Sequence, residues 1–336
     1  MIKLRGAIIL FVAAQVATFA AVDPALLRLV MPDAKVVAGL QIAPIRNSPF
    51  GQFVLSHMQV EDPAFQKFIA QTGLDPRRDI SEIVIASNWD QADPQSRWLV
   101  VARGTFNVPL IAEAAQANGG TAGKFQGADM LTYSSPTKPD ATGRAQPPTE
   151  NGIAFFDRTT AVMGDVTSVK AAVRRNQTNT PASSTLFAKV HDLSAKNDFW
   201  FVTLVPISEF AGVMPDPNLS SAMQGNLMAG IHEASGGIKF GDTVTISGEA
   251  VTRSDKDAQA LMDVFKFLAG MIQTNRQNDA AVGQVATLLD NMDLKTNDNV
   301  MTMSLNIPEK QLEQFLDTMH QQSRTARKKP APPQFN

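Results

Sequence analysis

Two stretches of this chain, about 140 to 160 residues apart, run through the same order of elements: strand, helix, hairpin, helix, hairpin, helix. In the first, Val36–Ile42 (VVAGLQI) reads as a buried strand, because its apolar run is nearly unbroken. Asn47-Ser48-Pro49 supplies a cap and a first-turn proline for a helix that carries Phe50, Phe53, Val54 and Met58 on one face. Asp62-Pro63 opens a second helix, which Gly73 stops. Strands follow at Ile80–Ser87 and Arg97–Gly104, then a helix over Val108–Asn118. One hairpin spans Lys124–Tyr133, turning near Gln126-Gly127-Ala128; another joins Gly152–Phe156 to Thr160–Gly164, and Asp165 caps the next helix.

In the second stretch, Phe199–Val205 followed by Pro206 echoes VVAGLQIA followed by Pro44. Gly237–Phe240 and Thr243–Arg253 form a hairpin on Gly241-Asp242, a good two-residue turn. Ser254 then caps a helix whose Ala258, Leu261, Met262, Phe265, Leu268, Ala269 and Ile272 form one stripe. Asp293–Thr296 and Val300–Ile307 precede a helix at Pro308–Gln321. The recurrence reads as a degenerate duplication, with coincidence as the alternative, since strand–helix alternation is common. The expected fold is α+β: two related units, each a mostly antiparallel sheet with helices packed on one face. The expected divisions are a signal peptide over 1–21, a first unit over 22–184, a second over 185–323, and a disordered, basic, Pro-rich tail over 324–336. Ser134–Asn151 reads as a mobile loop, Gln177–Ser184 as a linker, and Met214–Ile231 as a flap over a groove.

The N-terminus sets the expected location. Lys3 and Arg5 precede an apolar run from Gly6 to Ala21, broken only by Gln15 and Thr18. A basic start, a short apolar middle and a small-residue end describe a secretory signal. The run falls short of the about 20 apolar residues that a membrane span needs. Thr18 and Ala20 satisfy the small-x-small rule, so cleavage is expected after Ala20 or Ala21, with retention as a tether the alternative. The protein is then exported, periplasmic or extracellular, with no membrane span in the mature chain.

Composition excludes several kinds of chemistry. The chain of 336 residues has no cysteine, which rules out disulfides, thiolate zinc sites, iron–sulfur clusters, a Cys nucleophile and a lipid anchor on cysteine. Charged residues are only 18% and the net charge is −2, so no field draws in nucleic acid. The four histidines, His57, His191, His232 and His320, lie far apart and make no metal-ligand spacing. Neither a GxSxG elbow nor a phosphate-binding glycine loop is present.

Weak binding candidates remain. Asp75-Pro76-Arg77-Arg78-Asp79 is the densest charged motif: Arg77 and Arg78 can clamp a phosphate or carboxylate, or simply pair with their own aspartates. His232 and Glu233 can serve acid–base chemistry. Of fourteen methionines, nine fall after residue 213, and such residues bind varied apolar partners or fill irregular cores. No catalytic, metal or cofactor residue is assigned, and no cofactor is expected.

Leu29–Gly39 (LVMPDAKVVAG), Asn47–Phe53 (NSPFGQF), Thr72–Asp79 (TGLDPRRD) and Ala161–Val173 (AVMGDVTSVKAAV) resemble a group of uncharacterised exported bacterial proteins of acidobacterial type. The resemblance implies export and a bacterial envelope setting, and carries no function. The expected role is a non-catalytic binding or scaffold protein of the envelope, with an envelope protein or an apolar ligand as partner. The alternatives are a hydrolase whose site is assembled from distant Asp, Glu and His residues, or a carrier of an apolar ligand.

Overall fold

Every strand among the described residues joins one twelve-stranded sheet, ordered β11-β12-β10-β9-β8-β1-β2-β3-β7-β6-β5-β4. This computed structural model describes residues 21–57, 62–89, 97–136, 148–178, 185–213, 228–277 and 280–328. The strands are β1 (Val36–Gln41), β2 (Ile80–Ser87), β3 (Trp98–Gly104), β4 (Thr121–Phe125), β5 (Ala128–Ser135), β6 (Thr149–Phe155), β7 (Thr160–Asp165), β8 (Phe199–Thr203), β9 (Ile231–Lys239), β10 (Thr243–Thr252), β11 (Met292–Asn297) and β12 (Val300–Pro308). All neighbours are antiparallel. The fold is therefore α+β with a mostly antiparallel sheet. The sequence left open whether the sheets of the two expected units join; β1 and β8 pair from Val36↔Thr203 to Leu40↔Phe199 and make the sheet continuous.

The helices are α1 (Pro24–Leu27), α2 (Ile42–Asn47), α3 (Pro49–His57), α4 (Pro63–Thr72), α5 (Pro76–Asp79), α6 (Val108–Ala117), α7 (Val166–Thr178), α8 (Thr185–Lys196), α9 (Asp255–Thr274), α10 (Ala280–Leu289) and α11 (Glu309–Lys328). Their starts follow local chemistry. Asp23 accepts from the amide of Ala25 at 2.7 Å ahead of Pro24, and Asp62 accepts from Ala64 at 2.8 Å ahead of Pro63. Ser254 caps α9 by accepting from Asp257 at 3.2 Å. Gly73 closes α4 at φ 66°, and β4 turns into β5 through Gln126 and Gly127, both at positive φ.

Helices cover both faces of the sheet, which corrects the expectation of one. On one face Val37, Val84, Leu99, Val101, Val162, Trp200 and Val202 pack with residues 22–34, α7 and α8. On the other, Leu131, Phe155 and Ala161 meet Ile111 of α6, while Ala234 and Met301 meet Ala258, Leu261 and Met262 of α9. The reason is visible in pairs such as Met130-Leu131 and Ala161-Val162. Both members are apolar and buried, so successive side chains need cover on opposite sides.

Other boundaries differ from expectation. β9 begins at Ile231 rather than Gly237, held by pairing to both β8 and β10. α10 is a helix that no cap or stripe announced. α11 continues to Lys328, past Arg324 where the basic tail begins. The segments expected as a mobile loop (Ser134–Asn151), a linker (Gln177–Ser184), a flap (Met214–Ile231) and a signal (residues 1–20) lie largely outside the described residues, as does the side chain of His57.

Candidate ligand groove

α8 places two kinds of side chain against the sheet. Leu186, Phe187 and Val190 enter the core beside Trp200 and Val202. Lys189, on the same helix, reaches past them over the strands that follow β8. Register explains why the sheet changes character there. Val202 pairs with Ser235, Ser235 with Glu249, and Glu249 with Thr302. Paired residues share a face, so the apolar face beneath α8 continues as a polar floor across β9, β10 and β12. The alternate positions Ala234, Ala250 and Met301 point the other way, into the core under α9.

The result is an open groove of about 580 Å³. Its wall is the C-terminal part of α8, with Lys189, Asp192 and Lys196; its floor carries Ser235, Thr245, Ser247, Glu249 and Thr302. The Lys189 ammonium is bonded to Glu249 Oε1 at 2.7 Å and to Glu233 Oε1. Burial draws its pKa down, and the hydrogen bonds to Glu233 and Glu249 more than offset this, so the net direction is upward.

A second ion pair closes one end. Asp198 is fully buried, accepts from Lys239 Nζ at 2.6 Å and from the amide of Phe240 at 2.8 Å, and so ties the start of β8 to the end of β9. Gly237 leaves room for Asn197, whose side chain would lie 2.3 Å from a Cβ at that position.

The residues singled out from sequence are dispersed. Glu233 does not line the groove but accepts a hydrogen bond from Lys189, which does. His232 does not line it either: it is exposed at a bulge where Val251 pairs with Glu233 but Thr252 with Ile231. Arg77 grips Asp75 through Nε at 2.9 Å and Nη2 at 2.7 Å, and stacks over Phe65 at 5.3 Å. Arg78 binds Asp79 at 2.7 Å. The two arginines thus spend their forks on their own aspartates. Lys189 and Glu249 went unnoticed because 44 to 60 residues separate the partners in the triad. The available signal was a lysine set among Leu186, Phe187, Val190 and Leu193, above a strand alternating Thr245, Ser247, Glu249. Among the described residues, no group of three or more His, Asp or Glu side chains is placed to hold a metal ion. No helix among them is long and apolar enough to cross a membrane. No protein-family model, curated protein or solved structure matches the chain.

Proposed function

We propose that the chain is an exported, non-catalytic binding protein of the bacterial envelope, and that the groove beside α8 is its ligand site. The observation that carries the reading is Lys189, held between Glu233 and Glu249 over a floor of serine and threonine hydroxyls. Lys189 and Lys239 are paired with carboxylates within the protein, so the floor offers a ligand donors and acceptors more than net charge. Such a surface fits a neutral, hydroxyl-rich ligand, and about 580 Å³ suits one of disaccharide size. The hydrolase alternative is weaker at this place. Two carboxylates stand close together, but both are hydrogen-bonded to the one Lys189 ammonium rather than flanking an open position where a scissile bond would sit.

The test is a titration of isotope-labelled protein with neutral cell-wall disaccharides and oligosaccharides, followed by amide shifts. Perturbations should map to residues 189–197, 233–249 and 302, and Ser247→Trp should abolish them by filling the floor. Silence across the panel, or shifts elsewhere, would overturn the groove assignment.

The duplicated-unit reading belongs with this proposal. Outward from the central pair, the strand orders β1-β2-β3-β7-β6 and β8-β9-β10-β12-β11 correspond position by position, with β4 and β5 added to the first. That correspondence supports descent of both halves from one ancestral unit. A scaffold reading also has its own support. Val264, Phe267, Leu268 and Met271 form an exposed apolar stripe on α9, facing away from the core.

A further inference from the structure

We propose that cleavage after Ala20 leaves an α-ammonium on Ala21 that seats beside Glu82, making the mature N-terminus a structural cation of the fold. The inference rests on the export reading above and names the processing bond within it.

The first described residues run directly into the structure. Val22 is fully buried, and its amide donates to Ser194 Oγ at 3.0 Å. The Ser194 hydroxyl in turn donates to the carbonyl of His191 at 3.0 Å. One residue earlier, Ala21 lines a cavity of about 430 Å³ together with Asp23, Gln41, Ser81, Glu82 and Arg103. The charged groups lining that cavity are two carboxylates and one guanidinium. Arg103 is committed to Asp23 at 2.6 Å. Burial holds the Glu82 carboxyl above its usual range; the like charge of Asp23 adds to this, while the field of Arg103 and the backbone amide of Asp23 pull the other way. The cavity therefore lacks one positive charge, and a new terminus on Ala21 supplies it.

The alternative bond is disfavoured on two independent grounds. Cleavage after Ala21 would turn the Val22 amide into an ammonium, with two further protons and a full charge, at a site that holds one neutral hydrogen bond. Desolvating such a charge without a counter-ion is strongly unfavourable. It would also place bulky Phe19 three residues before the cut, where Thr18 stands for the bond after Ala20.

Full-length chain expressed in a bacterial host, recovered from the periplasm and read by intact mass and N-terminal sequencing, tests the bond. The expected first residue is Ala21. A chain beginning at Val22 or later overturns this inference while leaving export intact; an unprocessed chain retained in the cytoplasm overturns both. The seat is tested by titrating the α-amine of the mature protein by NMR. Its pKa should lie about one unit above the ordinary value near 7.7–8.0, and fall back in Glu82→Gln. An ordinary value in the unmutated protein overturns the seat, whether or not the variant folds.

Discussion

The indole of Trp200 lies against the bare α-carbon of Gly39, its cross-strand partner at the β1–β8 seam. A Cβ on Gly39 would stand 2.1 Å from Trp200 Cζ2, inside any permitted contact. Trp200 is only 1% exposed, so the ring has no open side to move toward. Glycine at 39 and tryptophan at 200 are one fitted pair, contributed by residues 161 positions apart.

Gly39→Ala should therefore destabilise the protein by about 3 kcal/mol, at the upper end for overpacking a core. Chemical denaturation read by Trp fluorescence measures it. The double variant Gly39→Ala/Trp200→Leu should lose less than the sum of the two single changes, because removing the ring removes the clash.

Lys189→Met should leave Glu233 and Glu249 facing each other without their shared cation. Burial pulls the Lys189 pKa down, but the hydrogen bonds to Glu233 and Glu249 raise it above the unfolded value, so its contribution is fully present below about pH 10.4 and lost as pH rises through the folded value. The loss in the variant, about 1 kcal/mol for these partly exposed groups, should be present at pH 7 and shrink as pH rises from about 10 to 12. Denaturant midpoints of both proteins across that range check the sign. A constant difference would contradict the triad.

The two faces of α9 predict opposite responses. Leu261 is buried under the sheet, and Leu261→Ala should cost about 2–5 kcal/mol. Phe267 is 66% exposed, and Phe267→Ser should change stability by less than about 0.5 kcal/mol. Paired thermal melts separate the cases.

Asp75 caps α5 and binds Arg77, and the hydrogen bond from Arg77 lowers its pKa despite some burial; Asp79 is lowered likewise by Arg78. Folded values below the unfolded about 3.9 give stability that is present above that pH and lost as pH falls through the folded values. Asp75→Ala should cost about 1 kcal/mol as a lost cap. Asp75→Asn keeps the cap and should flatten the acid limb of the stability profile below pH 4.

What could be read from the residues was mostly local. The hairpins at Gln126-Gly127 and Gly241-Asp242, and the caps at Asp62, Asp165 and Ser254, depend on neighbours within four positions, and the alternation around them marks strands clearly. The seam was not legible. Val37 and Ala38, or Trp200 and Phe201, are apolar on both sides of the strand, which announces burial but names no partner. Helix α10 (AAVGQVATLL) escaped for a related reason: its residues are apolar or small almost throughout, so no stripe stands out from a polar face. At the groove, Glu233 drew notice beside His232, the wrong companion. Lys189 and Glu249 acquire meaning only once the register of β8, β9 and β10 is known.

The β1–β8 seam also governs what happens if the halves part. Every interior hydrogen-bonding group of these two strands is matched by a neighbour on each side. Severing the pair would expose two short apolar strands whose backbones are ready to accept any stranger's strand. Either half made alone would carry such an adhesive border. The chain is thus protected from aggregation by its own other half, and a cut between residues 178 and 199 that let the halves part would release that hazard in both fragments.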